Sequence, residues 1–323
     1  MRRLSLLPLL FLLAACCEAP PQPEGFAAFI ASVRQEALAQ GVSAQTLKQT
    51  LDQAYYIQRA ASKARNQPEA KITLDDYLDQ RLTWLRIQRG QLALNDQRAL
   101  LAPISERYGV PPQVLISLWG QESSYGTNVG SYPLISALAT QAFEGRRAAF
   151  FRKELLAALQ IVEEGRIQPQ RMTGSWAGAM GQAQLMPTSF LHYAVDGDGD
   201  GQRDIWGNNA DVFASMANYL KRSGWRAGQP WGLEVRLPPN LDETLIGVRE
   251  RQPLSQWQAL GLTPAEGQSW PDDDTLPLRL IAPDSISGRA FLVGRNYNAL
   301  LAWNRSAYFA LAISLFAEKL ESR

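Results

Sequence analysis

From Gly25 to Tyr108 the chain is rich in Ala, Gln, Leu and Arg. Its apolar positions recur at helical spacing, as in Tyr77, Leu78, Leu82, Leu85 and then Leu92, with glycine mainly near the breaks. That pattern predicts several helices. In "RYGVPPQVLISLWGQESSYG", Pro111 and Pro112 suit a first helical turn, and Val114, Leu115, Leu118 and Trp119 form one apolar stripe. Further helices are expected from Arg146 to Glu164 and from Asp211 to Arg222. After Trp225 the period changes: "WGLEVRLPPN" alternates Leu233, Val235 and Leu237 with Glu234 and Arg236, and "LPLRLIAP" is a second strand-like run between prolines. The closing "YNALLAWNRSAYFALAISLFAEKLESR" returns to helix. The expectation is a mainly α protein with a small β unit. Helical segments at 24–105 and 106–228 precede a β unit at 229–290, and a C-terminal helix at 291–323 returns to the helical part.

The N-terminus follows another rule. Arg2 and Arg3 precede an apolar run from Leu4 to Ala15 that is too short to span a bilayer comfortably, which marks an export signal. It ends in Leu13-Ala14-Ala15-Cys16, a lipobox-like stretch in which residues 1–16 form the signal and Cys16 becomes the lipidated first residue of the mature chain. A plain signal peptide with two incidental cysteines is the alternative. Residues 17–23 then form a Pro-rich tether. Cys17 stands where an inner-membrane retention Asp would be, so the periplasmic face of the outer membrane of a Gram-negative cell is the expected address.

Composition narrows the chemistry. With 32 basic and 31 acidic residues the net charge is +1, which gives no field for nucleic acid. The two cysteines are Cys16 and Cys17, so the remainder has neither disulfides nor thiolate chemistry. A single histidine, His192, excludes multi-histidine zinc sites and leaves the work to carboxylates, amides and hydroxyls. No organic cofactor is expected.

Glu122 is the first candidate. It follows Leu118 by four residues and Trp119 by three, so on a continuing helix it lies along the buried stripe, where desolvation raises a carboxyl pKa and suits a general acid. If the helix ends near Gly120, it is instead a solvated carboxylate. The second candidate is "GSWAGAMGQAQLMPTSF". Its Gly178 and Gly181 allow close backbone approach to a ligand, while Ser175, Gln182 and Gln184 offer uncharged hydrogen bonds suited to a sugar. A tight helix contact fits the same composition. The third is "DGDGDGQRDIW": Asp196, Asp198 and Asp200 occupy positions 1, 3 and 5 of a calcium loop, with Gly201 at position 6 and the Gln202 carbonyl at 7. Gly207 stands where the bidentate Glu belongs, and Asp211 is the replacement a little further on. The alternative is a solvated Asp-Gly turn. Trp303, Tyr308 and Phe309 around Asn304 suit either sugar stacking or core. Arg146 and Arg147 at a helix start, where the dipole favours anions, suit contact with a lactyl or peptide carboxylate, or are ordinary surface residues.

Taken in order, "YGVPPQVLISLWGQESSYG", "FEGRRAAFFRKELLAAL", "GSWAGAMGQAQLMPTSF", "YAVDGDGDGQRDIW" and "ANYLKRSGW" resemble the membrane-bound lytic transglycosylase B family of bacterial peptidoglycan enzymes, as do "YLDQRLTWLRIQRG" and "AWNRSAYFALAI". The resemblance implies a lysozyme-like catalytic core carrying an EF-hand-like loop, set between a helical domain and a small β domain. It implies Glu122 as the acid/base, and Ser175, Gln184, Arg146, Arg147, Tyr219, Asn304 and Tyr308 as substrate-binding residues, although Phe309 is an alternative to Tyr308. It implies structural calcium on Asp196, Asp198, Asp200, Gln202 and Asp211. The implied reaction cleaves the MurNAc–GlcNAc β-1,4 bond of peptidoglycan glycan strands and leaves 1,6-anhydro-MurNAc ends, on a lipid-anchored protein that could meet wall-synthesis or division proteins. A hydrolytic muramidase of the same fold and a non-catalytic peptidoglycan-binding lipoprotein are the competing readings.

Overall fold

The computed structural model describes residues 22–65, 72–144 and 146–321, so the signal segment and Cys16 lie outside the described residues. The first helices are α1 (Phe26–Ala39), α2 (Ala44–Gln49), α3 (Gln58–Arg65), α4 (Leu74–Arg81), α5 (Trp84–Asp96) and α6 (Arg98–Tyr108). Thr73 and Asp76 close a capping box at the start of α4, and Thr83 caps α5 immediately after α4 ends, which fixes the corner between them.

Next comes α7 (Pro112–Ser123), followed by β1 (Tyr132–Pro133), α8 (Leu134–Glu144), α9 (Ala148–Glu163), β2 (Thr173–Gly174), α10 (Pro187–Tyr193) and α11 (Asn209–Arg222). α7 buries Val114 through Gly120 in an unbroken run, so it is a central helix rather than an amphipathic surface one. The helix expected from Arg146 starts at Ala148 instead, with Arg147 at its N-cap and Arg146 before it, so both cations stand outside the first turn.

The last part contains β3 (Gly232–Arg236), β4 (Gln252–Pro253), α12 (Leu254–Ala259), β5 (Thr263–Pro264), β6 (Pro277–Ile281), β7 (Ala290–Val293), α13 (Arg295–Trp303) and α14 (Ala307–Glu321). The strands form one antiparallel sheet in the order β4-β6-β7-β3-β5, with Leu292 opposite both Leu233 and Leu280. Alternation splits the sheet between two cores. Leu233, Val235, Leu278, Leu280 and Leu292 pack with Trp257, whereas Ile281, Phe291 and Val293 join the main helical core. That double burial explains why β7 reads as a continuous apolar run. Buried side chains from α1 to α4, α6 to α11, α13 and α14 form a single cluster, against which α5 packs partly buried Ile87, Ala93 and Leu94, and α14 lies against both α7 and α5.

Candidate active site

The helix carrying Glu122 does not end at Gly120. It continues to Ser123 and stops where Ser124 and Tyr125 both take left-handed φ, 50° and 61°. Two successive non-glycine residues in that region are costly and persist only where the surroundings hold them. Tyr125 is held: its hydroxyl donates to the Arg86 carbonyl at 2.8 Å, and its ring crosses Gly120 so closely that a Cβ there would lie 2.8 Å from it. Glu122 is thereby carried one turn beyond Leu118 and Trp119, at the edge of the core.

Glu122 is partly buried as a residue, yet its carboxyl is desolvated, and burial pushes it up from the ordinary 4.5 to about 7. Two smaller influences oppose that rise. The Trp303 indole Nε1 donates to Glu122 Oε1 at 2.7 Å, and the Arg81 guanidinium attracts the ionised form. Arg81 lies over the Tyr77 ring at 5.3 Å, and its carbonyl accepts from Gln121, the neighbour of Glu122, and from Arg86. Tyr219 packs edge-on against Trp303 at 4.7 Å and donates to the Ala302 carbonyl. Asn304 follows Trp303 as an exposed C-cap.

The Gly-rich segment at 174–186 folds as a compact loop anchored on β1 and β2, with further bridges from Met180 to Gly174 and Leu185. Its glycines answer to internal packing. A Cβ on Gly178 would meet Leu138 Cδ2 at 2.3 Å, and one on Gly181 would meet the Ile205 carbonyl at 2.6 Å, so the expected open approach of bare backbone to a ligand is replaced by close approach to the protein itself. Gln182 likewise turns inward. It accepts from Trp119 Nε1 at 2.8 Å and donates to the Trp206 carbonyl at 3.0 Å, tying α7 to this loop and to the segment before α11. Ser175 and Gln184 remain partly exposed. Ser175 Oγ accepts from Ala179 N–H, and Gln184, at φ 48°, donates to the Gly181 and Val129 carbonyls.

In the Asp-rich loop, carboxylate oxygens of Asp196, Asp198 and Asp211 lie within 4.8 Å of one another. Asp211, fully buried, accepts from Gly197 N–H at 2.6 Å and Asp204 N–H at 2.5 Å. Asp196 accepts from Gly201 and Gly199 N–H, the former being the main reason its carboxyl is held below the ordinary range. Gly199 and Gly201 have φ of 85° and 87°, as the turn demands. The Asp200 carboxylate, expected as a further ligand, stands outside this group and accepts from Gln202 N–H at 2.7 Å. Three converging carboxylates, one of them buried, make an all-oxygen donor set that fits a hard divalent cation.

Other expected residues have partners of their own. Arg147 stacks on Phe150 at 3.9 Å, and Arg146 lines a small cavity with Arg65 and Glu144. Tyr308 packs edge-on against Tyr77 at 5.6 Å and donates to Asp284, whereas Phe309 is buried in the core. Trp303 and Arg81 are the neighbours of Glu122 that sequence reasoning missed. Trp303 reads as sugar stacking or core with no link to Glu122, and Arg81, within "YLDQRLTWLRIQRG", has no local feature that singles it out.

A protein-family model described as a transglycosylase SLT domain matches residues 25–318. Over 230 residues the chain is 32% identical to a membrane-bound lytic murein transglycosylase B of Escherichia coli K12, a match that covers 70% of this chain and 62% of that protein. The chain thus spans less than two thirds of that relative's length. The fold is similar to that of SltB3 from Pseudomonas aeruginosa in complex with NAG-anhNAM-pentapeptide, with TM-score 0.88 and 42% identity over 93% of this chain and 80% of that one. It is also similar to the Escherichia coli lytic transglycosylase Slt35 in complex with calcium, with TM-score 0.74 and 28% identity over 92% and 93% of the two chains.

Proposed function

The chain belongs to the transglycosylase SLT domain family, and from that premise we propose that it is a peptidoglycan lytic transglycosylase in which Glu122 works first as acid and then as base. The observation that carries this reading is one desolvated carboxyl, pushed up to about 7 and bonded to Trp303. An ordinary glycosidase needs two carboxyls, one for the leaving group and one for water or the nucleophilic attack. A lytic transglycosylase closes the same cycle with one.

The protonated Glu122 donates to the glycosidic oxygen between MurNAc and GlcNAc, the C1–O bond breaks, and positive charge develops on the sugar ring. Glu122 is then a carboxylate, stabilised by the Trp303 N–H and the Arg81 guanidinium. It takes the proton of the muramyl C6 hydroxyl, whose oxygen bonds to C1 to give the 1,6-anhydro ring. The carboxyl ends protonated and no water is consumed. A group near pKa 7 serves both halves, because neither protonation state is far away in free energy.

Ser175, Gln184, Tyr219, Asn304 and Tyr308 serve as sugar contacts in this reading, and Arg146 and Arg147 as contacts for peptide carboxylates. Asp196, Asp198 and Asp211 would hold a calcium ion whose part is structural: it neutralises converging carboxylates and fixes the turn ahead of α11. Cys16 would carry a lipid anchor that places the enzyme on the periplasmic face of the outer membrane. Loss of turbidity of purified sacculi tests the catalytic reading. Clearing by the protein that stops in Glu122→Gln, while that variant still sediments with sacculi, supports an enzyme. Sedimentation without clearing by either form would make it a binding protein.

A further inference from the structure

The rings around Glu122 do not stop at Tyr219. Tyr193, at the end of α10, stacks on Tyr219 with centroids 4.1 Å apart, and His192 stands edge-on to Tyr193 at 4.5 Å. With Tyr219 4.7 Å from Trp303, and Trp303 bonded to Glu122, four rings from three helices form a continuous row that begins at the reactive carboxyl. Arg222 pins its far end: the guanidinium lies over Tyr193 at 5.3 Å and donates to the His192 carbonyl at 2.5 Å, with a second nitrogen 3.0 Å from the His192 ring.

The row reaches solvent along its whole length. Trp303, Tyr219 and Tyr193 are each partly exposed and His192 is exposed. A set of aromatics whose only task was to join α10, α11 and α13 would be buried, since their apolar area stabilises only when removed from water. Beyond His192 the surface opens into a cavity of about 630 Å³ between α1, α9 and α10, where Gln40, Gln160 and Thr188 add amides and a hydroxyl beside Lys153 and the Glu36–Arg152 ion pair. That volume is within the range of ligand sites, about 300–1,000 Å³. Apolar ring surface flanked by amides and hydroxyls matches a pyranose, with apolar C–H faces and polar substituents.

We propose that this row is a track for the glycan strand on one side of Glu122, and that the His192 cavity at its end binds sugars of the same N-acetylated β-1,4 strand several residues from the scissile bond. The proposal rests on the reading of the protein as a peptidoglycan glycosyl-cleaving enzyme. The recognition adds affinity for long strands and leaves the chemistry at Glu122 untouched.

The test compares peptide-free MurNAc–GlcNAc tetrasaccharide and octasaccharide as substrates for the wild type and for a His192→Ala, Gln160→Ala double variant, both of whose positions are exposed. The wild type is expected to show a lower KM for the octasaccharide, and the double variant to lose about tenfold in that KM, the effect of an aromatic-sized contact, with the tetrasaccharide constants unchanged. Tyr193→Leu, which removes a rung without touching the cavity, is expected to act in the same direction. Equal KM values for the two lengths in the wild type, or losses of the same size on both lengths in the variants, would overturn the track. Calorimetric binding of both strands to Glu122→Gln separates this failure from failure of the catalytic reading. Tighter octasaccharide binding that His192→Ala abolishes keeps the track even if neither strand is cleaved.

Discussion

Trp303 Nε1 donates a 2.7 Å hydrogen bond to Glu122 Oε1 across 181 residues of sequence, joining the end of α7 to the end of α13. The bond holds the carboxyl in one orientation and favours its ionised form, while burial favours the neutral form. The carboxyl is balanced between those two effects.

Replacing Trp303 by Phe removes the donor and keeps most of the ring. A hydrogen bond to an ionised group contributes about 1.5–3 kcal/mol, so the Glu122 carboxyl moves further above about 7. The alkaline limb of the pH profile of kcat/KM, which follows loss of the acid's proton, is expected at higher pH, with kcat lowered because the base form is less stabilised. Arg81→Met is expected to move the same limb in the same direction, by a smaller amount because Arg81 is the lesser of the two opposing influences. A limb that stays in place in both variants would show that a different group titrates.

Glu122 also sets a stability that depends on pH. Its pKa in the folded protein is raised from 4.5 to about 7, so between those values the folded state holds a proton that the unfolded chain has released. Stability from this site therefore falls as pH rises through that window, and above it the buried charge costs up to roughly 3 kcal/mol. Glu122→Gln is expected to unfold at a higher temperature than the wild type at about pH 8, with the difference closing below the ordinary carboxyl value of 4.5. Thermal melts across that range measure it.

Gln182 is a structural joint rather than a ligand contact. Gln182→Leu leaves the Trp119 indole N–H and the Trp206 carbonyl without their partner, and a loss of about 3 kcal/mol is expected from the two unsatisfied groups. Gly126→Ala is expected to be harmful at the same joint, because its Cβ would stand 2.3 Å from Gln182 Oε1 at a φ of +77°. Denaturant midpoints of the two variants check this.

Calcium binding at Asp196, Asp198 and Asp211 is expected to raise the melting temperature by a few degrees, since a ligand at a hundredfold excess over its Kd adds about 2.7 kcal/mol. Chelation is expected to reverse the gain, and Asp211→Asn to abolish it. Equal melting with and without calcium would assign this loop to its own hydrogen bonds.

The place of Glu122 was legible because Leu118 and Trp119 define a stripe whose next turn contains it, and helix geometry does the rest. The convergence of Asp211 on the Asp-rich loop was legible from its position just after Gly207, and the structure brings its carboxylate within 4.8 Å of those of Asp196 and Asp198. The role of the glycines was not legible. Sequence shows that Gly178 and Gly181 permit close approach, but only the fold shows that Leu138 and Ile205 are what approaches. Trp303 escaped for a related reason, because a contact spanning 181 residues leaves no local periodicity and its composition matches that of a core aromatic. Arg81 is one of many basic residues until α4 is placed against α7.

Product identity tests the central claim most directly. Muropeptides released from purified peptidoglycan would be weighed by mass spectrometry for the wild type and Glu122→Gln. A carboxyl that works alone and in both halves predicts non-reducing 1,6-anhydro ends, lighter than the hydrolysed products by one water, and none of them from the variant. Reducing ends that take their oxygen from labelled water would contradict it, because Glu122 would then be activating water rather than the C6 hydroxyl.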